Sequence, residues 1–130
     1  GIASAMSQAL KSSGLGINDI DYINLHGTAS DLNDKYENKG VYELFSDKTP
    51  SSSVKGWAGH CLGASGVIEA IMSALFIKNN LKPASLNTQV IDPEIKSNIL
   101  LDHERGDVNA VLSNSCGFGG SNCSLLIASC

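Results

Sequence analysis

The sequence predicts an α/β domain: a mixed β-sheet, parallel over most of its width with an antiparallel end, and helices on both faces. Three observations carry that expectation. Helical and strand-like segments alternate as far as Asn79, which favours a layered, mostly parallel sheet. Two apolar runs then flank a glycine-rich turn near the carboxyl end, "VNAVLSNSCGFGGSNCSLLIAS", as an antiparallel hairpin requires. Between them, residues 59–79 are apolar nearly all round, the pattern of a helix buried on two sides.

The elements follow in order. Residues 2–11 carry Ile2, Met6, Ala9 and Leu10 on one side, and Gly14 is a natural helix stop. "IDYINLHG" is a short apolar strand ending in glycine. "SDLNDKYENKGVYELF" is a helix with Asp31 or Asn33 as its cap and Val41, Leu44 and Phe45 on its apolar face. "SSSVK" is a short strand. A helix over Gly59–Asn79 follows, with His60 at its start. "NNLKPASLNTQVIDPEIKSN" holds two of the chain's three prolines and reads as an irregular connection. The hairpin closes the order. No repeat, low-complexity tract or internal linker interrupts it.

Composition narrows the function classes. The chain has 130 residues, 42% of them hydrophobic, enough for one domain with a real core. A net charge of −4 gives no electrostatic attraction to nucleic acid or to an anionic membrane. The longest apolar segment, Leu62 to Ile77, is interrupted by Ser65, Glu69 and Ser73, and reads as too short and polar to span a bilayer. No signal peptide is recognisable. Cys61, Cys116, Cys123 and Cys130 form no CxxC and no zinc-ligand spacing with histidine, so free thiols in a reducing cytoplasm and no metal site are expected. The opening "GIASAMSQALKSSGLG" reads as a helix already under way, as in a piece of something longer.

Three segments carry chemistry-bearing residues. In "NLHGTAS", His26 ends a strand, where α/β folds place their sites; a surface loop histidine is the plain alternative. In "VKGWAGHCLGASG", His60 follows Lys55 by five residues. A helix amino terminus and a nearby ammonium would both keep that imidazole neutral and a hydrogen-bond donor. The alternative is a capped core histidine beside an incidental Lys55–Glu69 pair. In "SNSCGFGGSNCS", glycines 117, 119 and 120 flank Phe118. This is either a hairpin turn or a hinged aromatic able to move over a cavity.

Taken together, the order HGT, KGxxGHxLGASGxxEA and NSxGFGGxN resembles the carboxyl-terminal half of the β-ketoacyl-acyl carrier protein synthases, condensing enzymes of the thiolase fold. The resemblance covers nearly all 130 residues and is closer to the elongating synthases I and II than to the initiating synthase III. It implies a thiolase-like half, residues 1–130 being a carboxyl-terminal β-ketoacyl synthase domain. It implies catalytic roles for His26, His60 and Lys55, with Glu69 pairing in the same network and Phe118 as a gate. Thr28, Ser30 and Asn122 fall at substrate-binding positions, and Asp34 and Glu37 at the acidic positions after HGT. The family more often has threonine where Ser30 stands, and phenylalanine where Cys116 stands.

The implied reaction is extension of an acyl thioester by a malonyl thioester with loss of carbon dioxide. It needs no cofactor beyond the phosphopantetheine arm of acyl carrier protein. Decarboxylation places negative charge on the thioester oxygen, and two neutral imidazole N–H donors would stabilise that enolate. The implied partners are acyl carrier protein, the amino-terminal half of the same enzyme and, for the full-length protein, a second copy in a homodimer. The family's nucleophilic cysteine belongs to the amino-terminal half. Cys61 follows His60 directly, so on a helix its side chain points about 100° away, a poor replacement. The competing expectation is a non-catalytic partner subunit like the chain-length factors of polyketide systems. A thiolase is disfavoured, because GFGG and the lysine segment follow the synthase pattern.

Overall fold

The computed structural model describes all 130 residues. Helices α1 (Ile2–Ser13) and α2 (Asp31–Phe45) bracket strand β1 (Tyr22–Asn24). Strand β2 (Ser51–Ser52), the single-turn α3 (Lys55–Ala58) and helix α4 (Ser65–Asn79) follow. A small hairpin, β3 (Leu81–Lys82) with β4 (Glu104–Arg105), precedes the closing pair β5 (Ala110–Cys116) and β6 (Asn122–Ala128). The main sheet has the order β2-β1-β5-β6. β1 runs parallel to β2 and β5, and β6 runs antiparallel to β5. Three parallel strands therefore end on one edge, and that edge holds the site.

Strand alternation divides the core. Ile23, Leu25, Ala110 and Leu112 face α1 and α2, where Ile2, Met6, Leu10, Val41 and Phe45 complete one cluster. Tyr22 and Val111 face the other way, against Val54, Phe76, Leu100 and Val108. α1 and α2 meet closely at Gly40, where a Cβ would stand 2.5 Å from Ile2. α1 ends at Gly14 in the left-handed conformation, φ 75°, which glycine adopts without penalty.

Four expectations need correction. The helix over 59–79 begins only at Ser65, because Gly59 (φ 76°) and Leu62 (φ 51°) are left-handed and break the run. His60 thus lies in a loop between α3 and α4, and not at a helix start. Nor is α4 buried on both sides: Val67, Ile71 and Leu75 are 64%, 57% and 48% exposed, while Ser65, Glu69, Ser73 and Phe76 are buried. α2 is capped by Ser30, whose hydroxyl accepts the Asn33 N–H, and not by Asp31 or Asn33. The irregular connection contains the β3 strand. The stretch Leu62–Asn79 reaches a mean hydropathy of 1.2 over 18 residues, more than its interrupting polar residues suggest. The helix itself has 15 residues, about 22 Å, and turns its polar face onto the sheet.

Candidate functional site

Each parallel strand delivers one part of the site. β1 runs through Leu25 into His26, which is 8% exposed. The chain turns at once through Gly27, φ 39°, where a Cβ would lie 2.4 Å from that of Ser53; only glycine fits. Ser53, beyond β2, donates its hydroxyl to the Gly27 carbonyl at 2.8 Å and accepts the Lys55 N–H at 3.3 Å. The loops after β1 and β2 are thereby tied together.

Glu37 anchors the turn from below. It stands on the α2 stripe with Val41 and Phe45 and is 2% exposed. Its two oxygens accept the backbone N–H of His26 at 2.8 Å and of Gly27 at 2.9 Å. Asn114 of β5 donates to the same carboxylate at 3.2 Å. Burial pushes the Glu37 pKa up, and these three donors oppose it. The sequence pointed to Glu37 only as an acidic position after HGT; an acid at i on a stripe with Val41 and Phe45 at i+4 and i+8 is the pattern that could have marked it as inward-facing.

The His26 and His60 rings face each other edge to face, with centroids 5.7 Å apart and planes at 88°. Lys55 lies beside them. Its ammonium pairs with Glu69 Oε1 and reaches His26 Nδ1 at 3.4 Å. Only the lone pair of Nδ1 can receive an ammonium proton, so the His26 N–H sits on Nε2. Burial, then Lys55, then His60 lower the His26 pKa to about 4. The imidazole is neutral near pH 7.

His60 is held in the same tautomer by different means. Its Nδ1 accepts the Leu62 backbone N–H at 3.2 Å and lies 3.1 Å from the Ser65 hydroxyl. A backbone N–H can only donate, so the proton of neutral His60 is on Nε2 as well. Glu69 is 2% exposed and its Oε2 is buried without a partner. Burial raises its pKa, against the opposing pull of Lys55.

The remaining sequence-predicted residues rim an open cleft of about 1400 Å³. His26, His60, Thr28, Ser30, Phe118 and Asn122 all line it. Lys55 and Glu69 do not line it: Lys55 lines a second cavity and Glu69 is buried. The Thr28 and Ser30 hydroxyls are 3.2 Å apart. Phe118 is wholly exposed on a turn containing left-handed Gly119, φ 74°. Asn122 donates to the Gly120 carbonyl at 3.1 Å and so closes that turn. That second cavity, of about 570 Å³, lies behind the Gly27–Ala29 loop and meets the first at Thr28 and His60.

Cys116 also lines the large cleft, but burial and the Glu37 carboxylate push its thiol up to about 12, so it carries almost no thiolate at neutral pH. Cys61 is exposed, with Sγ turned to the Ala58 and Gly59 carbonyls. No three His, Cys, Asp or Glu side chains converge as a metal site. Sequence reasoning missed Ser53 and Asn114, whose contacts join residues from separate segments, and Ser65, whose contact with His60 lies within one segment.

Residues 1–89 match the family described as "Beta-ketoacyl synthase, C-terminal domain". The mitochondrial 3-oxoacyl-[acyl-carrier-protein] synthase of Arabidopsis thaliana is 41% identical over 99% of this chain and 30% of its own length. Synthase 2 of Rhizobium meliloti is 43% identical over 94% of this chain and 30% of its own length. The chain thus spans about 30% of the length of these curated relatives. Among solved structures, the ishigamide ketosynthase/chain length factor superposes with a TM-score of 0.96 at 30% identity, covering 100% of this chain and 33% of that one. A ketosynthase in complex with its chain length factor from Xenorhabdus doucetiae gives 0.94 at 36% identity, again over 100% of this chain and 33% of that one.

Proposed function

This chain belongs to the β-ketoacyl synthase family, and from that premise we propose that it is a carboxyl-terminal part of a cytoplasmic 3-oxoacyl-acyl carrier protein synthase, supplying the two histidines of a decarboxylative condensation. One observation carries the reading most directly: two neutral imidazoles, each with Nδ1 engaged, stand face to edge on one cleft. Their Nε2–H groups are free to donate to an oxygen that gains charge. Malonyl decarboxylation develops that charge on the thioester carbonyl. Fixed donors stabilise it without reorganising, and losing one such donor typically costs about 10²–10³ in rate.

Lys55 acts through His26, setting its tautomer, and Glu69 supplies the counter-charge that keeps the ammonium buried. Thr28 and Ser30 offer hydroxyls to the amides of a phosphopantetheine arm lying in the large cleft, with Asn122 on the opposite rim. Phe118, hinged by glycine, closes over the acyl chain. The nucleophilic cysteine comes from the amino-terminal half, since no thiol here is suitably placed and activated. Acyl carrier protein delivers both thioesters, and the intact enzyme is a homodimer.

A second reading is a partner subunit that keeps the fold without catalysing, supported by the close superposition on a ketosynthase/chain length factor structure. One experiment separates the two. The intact protein is incubated with acyl- and malonyl-carrier protein, with and without a cognate ketosynthase. The synthase reading requires 3-oxoacyl product from the protein alone, and its loss in His60→Ala. Product only when the ketosynthase is added would transfer the assignment to the partner subunit.

A further inference from the structure

We propose that Ser65 is a positioning residue for His60, its hydroxyl acting as a second donor to Nδ1 that locks the ring with Nε2–H toward the cleft. The geometry decides the direction of this bond. Ser65 Oγ lies 3.1 Å from His60 Nδ1, and a hydroxyl can donate or accept. The Leu62 backbone N–H also points at Nδ1, at 3.2 Å, and it can only donate. Nδ1 is therefore an acceptor, and the Ser65 proton points to it.

Two features make this bond matter. His60 is exposed in a loop between left-handed Gly59 and Leu62, so no packed helix fixes its ring. Ser65 by contrast is 6% exposed and is the first residue of the 15-residue α4, whose polar face is tied to β1 through Asn24. The hydroxyl thus couples an exposed loop imidazole to a helix bonded to the sheet, as a precise donor array requires. His26 obtains the same constraint from Lys55. The two histidines reach one tautomer by unlike routes, a charged one and a neutral one.

The inference rests on the condensing-enzyme reading for its consequence in rate, but its structural part is measured separately. Ser65→Ala and Ser65→Thr are made in the intact protein. Long-range proton–nitrogen correlation spectra report the His60 tautomer, and malonyl decarboxylation is followed as kcat and KM. Ser65→Ala should populate a second ring state at His60 and lower kcat about five- to tenfold, the worth of one neutral hydrogen bond, with KM unchanged. Ser65→Thr, which keeps the hydroxyl, should restore both. Unchanged His60 ring signals in Ser65→Ala would overturn the proposal, as would an equal loss in Ser65→Thr and Ser65→Ala. If the unmodified protein releases no carbon dioxide, the condensing reading fails, and the ring signals alone then decide the role of Ser65.

Discussion

His26 is neutral because of what surrounds it: burial, the Lys55 ammonium and His60 all disfavour a second proton and lower its pKa to about 4. An unfolded histidine titrates near pH 6.5. Between about pH 6.5 and 4 the unfolded chain therefore binds a proton on His26 that the fold excludes, and stability falls as pH falls through that window. Histidine ring resonances followed by NMR should give a His26 midpoint near 4; a midpoint above 6 would mean that Lys55 and burial do not act on it. Glu37 makes a second residue-level case. Glu37→Gln places an amide NH₂ against a ring of N–H donors and should cost about 1–3 kcal/mol, read as a lowered denaturation midpoint with an unchanged m-value. No loss of stability would show that the His26–Gly27 turn does not depend on this carboxylate.

Among the elements, the turn at Gly27 and the helix α4 say most about what a sequence reveals. Gly14 and Gly27 are both left-handed, but a Cβ at Gly14 meets nothing, whereas one at Gly27 collides with Ser53. Gly14→Ala should cost about 1 kcal/mol from backbone strain alone. Gly27→Ala adds a steric clash and should cost about 2–4 kcal/mol. Thermal unfolding of the two variants gives the order, and equal losses would contradict the close approach to Ser53. The regular helices were legible, because α1 and α2 carry a 3.6-residue apolar rhythm and α1 has a clear end signal at Gly14; the cap of α2 was misplaced by one residue or more, since Ser30 and not Asp31 or Asn33 accepts the Asn33 N–H. The hairpin β5–β6 was legible from its glycine turn. The start of α4 was not: Gly59 and Leu62 depart from helix through φ, which hydropathy does not encode. The site was legible as an order of short motifs, with His26, Lys55, His60 and Glu69 indeed brought together. The bonds that orient them were not, since Glu37 reaches His26 across 11 residues and Asn114 reaches Glu37 across 77.

At the scale of the whole molecule, α4 is inverted relative to an ordinary surface helix. Its polar residues Glu69 and Ser73 face the sheet, and Val67, Ile71 and Leu75 face outward. Leu32 and Tyr36 on α2 are also exposed, at 70% and 69%, on the rim of the large cleft. Soluble monomers rarely leave a helix stripe of large apolar side chains such as Val67, Ile71 and Leu75 uncovered, and the chain spans about 30% of its curated relatives. Residues 1–130 alone should self-associate through the α4 stripe. Val67→Ser, Ile71→Ser and Leu75→Ser together should return a monomer in sedimentation with the helix signal retained. A monomeric unmodified chain would show that this face needs no cover. The central claim is that the two imidazoles act on the enolate and not on acyl transfer. It is tested most directly by measuring carbon dioxide release from malonyl-carrier protein and acyl loading on the nucleophilic cysteine separately, in the intact protein and in its His26→Ala and His60→Ala variants. Each variant should lose about 10²–10³ in carbon dioxide release while acyl loading persists. Equal loss of both half-reactions, or undiminished decarboxylation, would contradict it.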